Sequence, residues 1–259
     1  MGAIITGGHM YNDIHVKRAR NILDDILVAA QRATATLADK TARILLDLPL
    51  YRTEGVRLEQ DQRNALQKHI HDVLHHNVWC NGAGFASYAV TKTVGEESDY
   101  WTLEWWRQEG KTIQYAQLEQ NQEQRRRLDF RLFEWFRQPA SRHLPVIDGP
   151  YVDYVCNGAY TITIAHPVLI GKEFAGVAAV DILVSTLDRL LLPILGAIGK
   201  PALIINDDAR VVTSTVPGVR SGSLLKNQDV NQSANGEAPS LRLVILPSSH
   251  TESPRAFVC

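Results

Sequence analysis

Six side chains in the middle of the chain are of the types that hold a small organic cation. Trp135, Phe136, Tyr151 and Tyr154 offer aromatic faces, and Asp153 and Asp181 offer carboxylates. They stand in the runs FEWFRQP, GPYVDYVC and YTITIAHPVLIGKEFAGVAAVDI between residues 133 and 182. The π face of a ring is negative, so rings and carboxylates attract the same positive group. Brought together by a sheet, these residues would form an aromatic box with acidic walls. That is the chemistry of ligand capture rather than of bond making.

Each residue also has an ordinary reading. Asp181 ends the apolar run AGVAAVDI, where a carboxylate is costly to bury without a partner; it could instead cap a strand end. Asp153 follows the Gly149-Pro150 bend and could bond its own backbone. Trp135 and Tyr151 could be core. Of the tryptophans in WTLEWW, one face must be core; Trp105 is the ligand candidate there, ahead of Trp101 and Trp106. Cys156 reads as a small buried hydrophobe.

Other chemistries have weaker support. His71 and His75 lie four apart on a helical stretch, a spacing that can share a metal, but no Glu or third ligand accompanies them. No G-x-S-x-G element and no phosphate-binding glycine loop is present. The arginines of EQNQEQRRR alternate with Glu and Gln and read as a solvated face. No cofactor is implied. A carboxylate-dependent enzyme is the alternative of another class; it lacks a recognisable nucleophile or metal set.

The elements that must position these residues follow from periodicity. Residues 16 to 48 predict one long helix, with Leu23, Ile26, Ala30, Ala33, Leu37, Ile44 and Leu48 at three- and four-residue steps, broken by a polar gap at Lys40 and Thr41. Its stripe faces its own domain or a second copy. A second helix is expected over 58–76. Two strands alternate from Tyr160 to Ile182 about a Gly171-Lys172 turn, with Tyr160, Ile162 and Ile164 on one face and Thr161, Thr163 and Ala165 on the other. A helix follows from Leu187, despite Pro193 and Gly196. PALIIND and RVVTST form a hairpin around Asp207-Asp208, and SLRLVILP adds a strand. The fold class is α+β.

Bulk properties narrow the partners. The chain has 259 residues, with 27 basic and 28 acidic side chains. That balance disfavours nucleic acid, which needs concentrated positive charge. Three cysteines, Cys80, Cys156 and Cys259, give no disulfide framework, and a Cys80–Cys156 bridge stays open. No apolar run of about 18 residues and no secretory signal is present. The chain therefore reads as cytoplasmic as it stands, or as extracytoplasmic if it is the sensor part of a membrane receptor.

The segments GAGFASY, WTLEWW, FEWFRQP, PYVDYVC, PVLIGKEFAGVAAVDI and PALIINDDARVVTS, in that order over roughly residues 20 to 250, resemble the double Cache sensor family. The resemblance implies a long N-terminal helix beside two PAS-like antiparallel modules, here residues 1–49, 50–198 and 199–259, with the ligand in the larger one. It implies a non-enzymatic sensor that binds amino acids, amines, organic acids or purines, pairs as a homodimer through the long helix, and signals to a partner protein. By resemblance, Trp135 and Phe136 fill an aromatic pair, Tyr151 and Asp153 a Tyr-x-Asp pair, and Asp181 the carboxylate that receives an ammonium. Amino-acid binders also place an Arg two positions before the Trp. Here that position is Phe133, and Arg131 and Arg137 are out of register. The expectation is an amine, with an α-amino acid or organic acid held by one of those arginines as the alternative.

Overall fold

A computed structural model describes residues 7–46, 56–88, 101–116, 129–153, 158–225 and 241–247. Helix α1 (Gly7–Ile44) starts ahead of the expected residue 16 and stops before Pro49, whose predecessor is disfavoured in the helical region. Ala19, Leu23, Ile26, Leu27, Ala30, Leu37 and Ala38 are buried along it. Thr34 and Thr41 lie in the same stripe, and their hydroxyls donate to Ala30 O (2.6 Å) and Leu37 O (2.7 Å). The polar gap read at Thr41 is thus closed by a local hydrogen bond. Helix α2 (Gln60–His76) buries Leu66, Ile70 and Leu74. Gln62 Oε1 accepts the Glu59 amide at 2.9 Å and satisfies one donor before its first turn.

Six antiparallel strands form the main sheet: β1 (Gly82–Tyr88), β2 (Trp101–Glu109), β3 (Thr112–Tyr115), β4 (Val146–Val152), β5 (Tyr160–Ile170) and β6 (Glu173–Leu183), in the order β3-β2-β1-β6-β5-β4. Between β3 and β4 lie a 3₁₀ turn (Phe130–Leu132) and helix α3 (Glu134–Arg142). Strand alternation divides two cores. Phe85, Ile162, Ile164, Ala178, Val180 and Ile182 pack in the cluster that includes α1. Trp105, Ala165, Val177 and Ala179 pack with Phe130 and Phe136 on the other face. The Ile162/Ile164 and Thr163/Ala165 faces separate as the alternation predicts.

Gly149-Pro150 is not a bend outside the sheet. It lies inside β4, at a register shift between Asp148 and Tyr151. β4 is an edge strand, and a proline, which cannot donate to the ladder, is tolerated at an edge or a bulge.

Helix α4 (Val184–Ala197) follows β6 directly, with Leu187, Leu191 and Leu195 buried. Strands β7 (Ala202–Ile205), β8 (Val211–Ser214) and β9 (Arg242–Ile245) make a second antiparallel sheet, ordered β8-β7-β9. The expected hairpin and extra strand are therefore present. Asn206 bonds both sheets: its Oδ1 accepts the Arg210 amide (2.8 Å), and its Nδ2 donates to Gly149 O (2.7 Å) in β4. Among the described residues no helix is long and apolar enough to cross a membrane.

Candidate ligand site

The candidate residues lie on the sheet face opposite the α1 core, in a stripe that crosses the strands. The register pairs Gly84 with Trp105, Gly82 with Asp181, Asp181 with Thr163, and Thr163 with Asp148. At Gly84 in β1 nothing larger than glycine fits under Trp105. A Cβ on Gly84 would lie 2.3 Å from Glu104 O and 2.5 Å from Trp105 Cε3. A Cβ on Gly82 would lie 3.1 Å from Trp105 Nε1 and 3.3 Å from Asp181 Oδ2, so the indole N–H edge and the carboxylate converge on that point.

Asp181 is the electrostatic centre. It is 6% exposed, and its Oδ1 accepts the Thr163 hydroxyl at 2.7 Å. Thr163 has one proton and donates it there. The 2.6 Å contact between Tyr151 and Thr163 hydroxyls therefore has Tyr151 as donor, giving a chain Tyr151 to Thr163 to Asp181. No basic side chain bonds Asp181 among the described residues. Burial first, then the charge of Asp153, pushes the Asp181 carboxyl up to about 8, against the Thr163 bond. Burial, with Asp181 next, raises Tyr151 well above the usual phenol range. Asp153 is itself buried at the end of β4, where its amide donates to Ala159 O at 2.9 Å. Asp153 is thus close enough to disfavour charge on Asp181.

Cys80, beside this stripe, is a free and buried thiol whose Sγ donates to Gly82 O at 3.1 Å. Burial, then the Asp181 charge, raises its pKa. The Cys80–Cys156 bridge is not made; Cys156, Tyr154 and the side chain of Trp101 lie outside the described residues.

The aromatic wall comes from the 3₁₀ turn and α3. Trp135 stacks on Phe133 (6.4 Å between centroids) and on Phe130 (5.9 Å), and Phe133 meets Tyr151 at 6.2 Å. Phe136 points elsewhere. It is 2% exposed and packs edge-on against Phe130, Phe174 and Trp135. Successive helical residues point about 100° apart, so Trp135 and Phe136 meet edge-on, with Phe136 as the buried ring. The ring beside Tyr151 is Phe133, which the sequence reading noted only as a missing Arg.

Asp148 also escaped that reading. Helix α3 begins after Phe133, which has no polar side chain to cap it. Asp148 Oδ2, from β4, accepts the Trp135 amide at 3.1 Å instead. Burial raises the Asp148 pKa, and the Trp135 amide opposes that rise. Asp148→Ala is expected to cost about 1 kcal/mol in urea unfolding, as lost caps do, while Asp148→Asn keeps an acceptor and most of that stability.

The two out-of-register arginines differ from what an anchor requires. Arg137 has a 63% exposed side chain and pairs with Glu134, because its helical position faces solvent. Arg131 forks onto Asp129 (2.8 and 2.9 Å) and lies 3.7 Å over the Tyr88 ring. Trp106, next to Trp105 on β2, faces α2 and packs on His71 at 4.5 Å.

No protein-family model and no curated protein matches the sequence. Solved structures do. The extracellular domain of histidine kinase soHK1S-Z6 aligns at 16% identity with TM-score 0.57, over 86% of this chain and 76% of that one. Methyl-accepting Chemotaxis protein X aligns at 17% identity with TM-score 0.54, over 91% of each chain. This protein has the Cache-type sensor fold. A third Cache-type neighbour is the ligand-binding domain of the Campylobacter jejuni chemoreceptor Tlp3, solved with 4-methylisoleucine. It aligns at 13% identity with TM-score 0.51, over 90% of this chain and 75% of that one. At such identities the likeness is one of fold.

Proposed function

We propose that this chain is a non-enzymatic sensor domain that binds a small organic amine at Asp181. The observation that carries the reading is a buried carboxylate with a second carboxylate nearby and no basic partner among the described residues. A buried charge without a counter-ion is unfavourable, and an ammonium ligand supplies one. Asp181 and Asp153 neutralise the ammonium. Trp135, Tyr151 and Trp105 line the space, Phe133 extends the ring wall, and Phe136 backs Trp135. A desolvated cation over a ring gains on the order of 2 kcal/mol, and each charge-assisted bond roughly 1.5–3. Micromolar affinity, about 8 kcal/mol, is reasonable once binding costs are subtracted.

An α-amino acid is the second reading, favoured by the Tlp3 domain solved with 4-methylisoleucine. It needs a carboxylate anchor; Arg131, over Tyr88, is the better placed of the two arginines. Ligand binding would bias α1, with residues 1–49, 50–198 and 199–259 as the helix, distal and proximal units of an extracytoplasmic sensor. That sensor pairs as a homodimer through α1 and hands its state to a signalling partner.

A thermal-shift and calorimetry panel of amines, amino acids, dicarboxylates and purines tests this. An amine at 100 times its Kd stabilises by about 2.7 kcal/mol, a shift of roughly 5–10 °C. Stabilisation by dicarboxylates or purines alone overturns the amine assignment. Stabilisation by amino acids alone, lost in Arg131→Ala, favours the second reading.

A further inference from the structure

A groove of about 350 Å³ runs between α1 and α2, on the far side of the main sheet from the Asp181 stripe. Ala33, Leu37 and Val73 form its floor. Arg32 and Lys40 line it from α1, and His69 and Asp72 from α2. Arg32 and Lys40 have no ion-pair partner among the described residues. His69 Nδ1 is buried without a hydrogen-bond partner, and the nearest carboxylate oxygen, Asp72 Oδ2, is 4.0 Å away.

We propose that this groove is a second small-molecule site, for an anion that carries one carboxylate on a short aliphatic chain. The carboxylate pairs with Lys40 beside the His69 ring, and the chain lies on the Ala33–Leu37–Val73 floor. A dianion is disfavoured because Asp72 stands at the same rim. The charge of Lys40 reaches His69: after burial, it is the next cause holding the imidazole below its usual pKa, with Lys68 adding to it and Asp72 opposing. An anion between them reverses that effect. Because residues of both helices line the groove, the ligand ties α1 to α2. This proposal does not depend on the amine site.

The test follows the His69 imidazole resonances of the full chain during titration with sodium hexanoate, hexylammonium and inorganic phosphate. Hexanoate is expected to shift His69 saturably and raise its titration midpoint. Lys40→Gln weakens that binding at least fivefold, Asp181→Asn leaves it unchanged, and hexylammonium gives no saturable shift. The proposal is overturned if hexanoate leaves His69 unmoved, if Lys40→Gln binds as the parent does, or if phosphate binds as tightly as hexanoate. It is also overturned if the His69 shifts follow protein concentration alone, which would make the groove a seat for a second copy.

Discussion

Asp181→Asn is expected to make the protein more stable at neutral pH while weakening its amine ligand at least 30-fold. The two effects share one cause. In the free protein the Asp181 carboxyl is pushed up to about 8 by burial and by Asp153, so at neutral pH folding forces it to hold a proton that the unfolded chain has released. Against an unfolded value of about 3.9, that linkage costs on the order of 4 kcal/mol at neutral pH. Asn keeps the oxygen that accepts from Thr163 Oγ1 and removes the ionisation. Thermal unfolding should therefore rise by roughly 5 °C or more. Binding suffers because the counter-charge is gone: the stated loss is about 2 kcal/mol, within the roughly 1.5–3 kcal/mol of one charge-assisted bond, and a second lost bond adds to it. A variant that loses both stability and binding would make Asp181 a structural residue instead.

Amine affinity should climb about tenfold per pH unit from pH 6 to pH 8 and then level. Below about 8 the free site holds a proton on Asp181 that the cation must displace. Each unit of pH makes that displacement about 1.4 kcal/mol easier. Stability of the free protein moves the other way. Between the unfolded and folded values the native state binds more protons than the unfolded one, so stability falls as pH rises through that window. Calorimetry in buffers of different ionisation enthalpy should find close to one proton released per amine at pH 6.5 and none in Asp181→Asn. A flat affinity profile over pH 6–8 would contradict the assignment of Asp181 as the ammonium partner.

Much of this arrangement could be read from spacing. Alternation places Thr163 and Asp181 in neighbouring antiparallel strands, but the Gly171-Lys172 turn alone would set Thr163 opposite Val180; a register shift between Val168 and Leu169 brings Asp181 opposite it instead. The same period of two sends Trp105 and Trp106 to opposite faces. What spacing could not show are interactions between distant segments. The Asp148 bond to the Trp135 amide joins β4 to the start of α3 and has no local signature. The displacement of Phe136 by Phe133 beside Tyr151 depends on where α3 starts, and element boundaries are the least certain part of any sequence reading. β4 itself was hidden because Pro150 argues against a strand until the strand is known to be an edge.

The most direct measurement is an electron-density map of crystals grown with the tightest-binding amine. The account predicts its nitrogen about 3 Å from an Asp181 carboxylate oxygen, as charge-assisted bonds require, with a ring of Trp135, Tyr151 or Trp105 against its carbons. An amine bound away from Asp181, with that carboxyl still bonded only to Thr163, would contradict it.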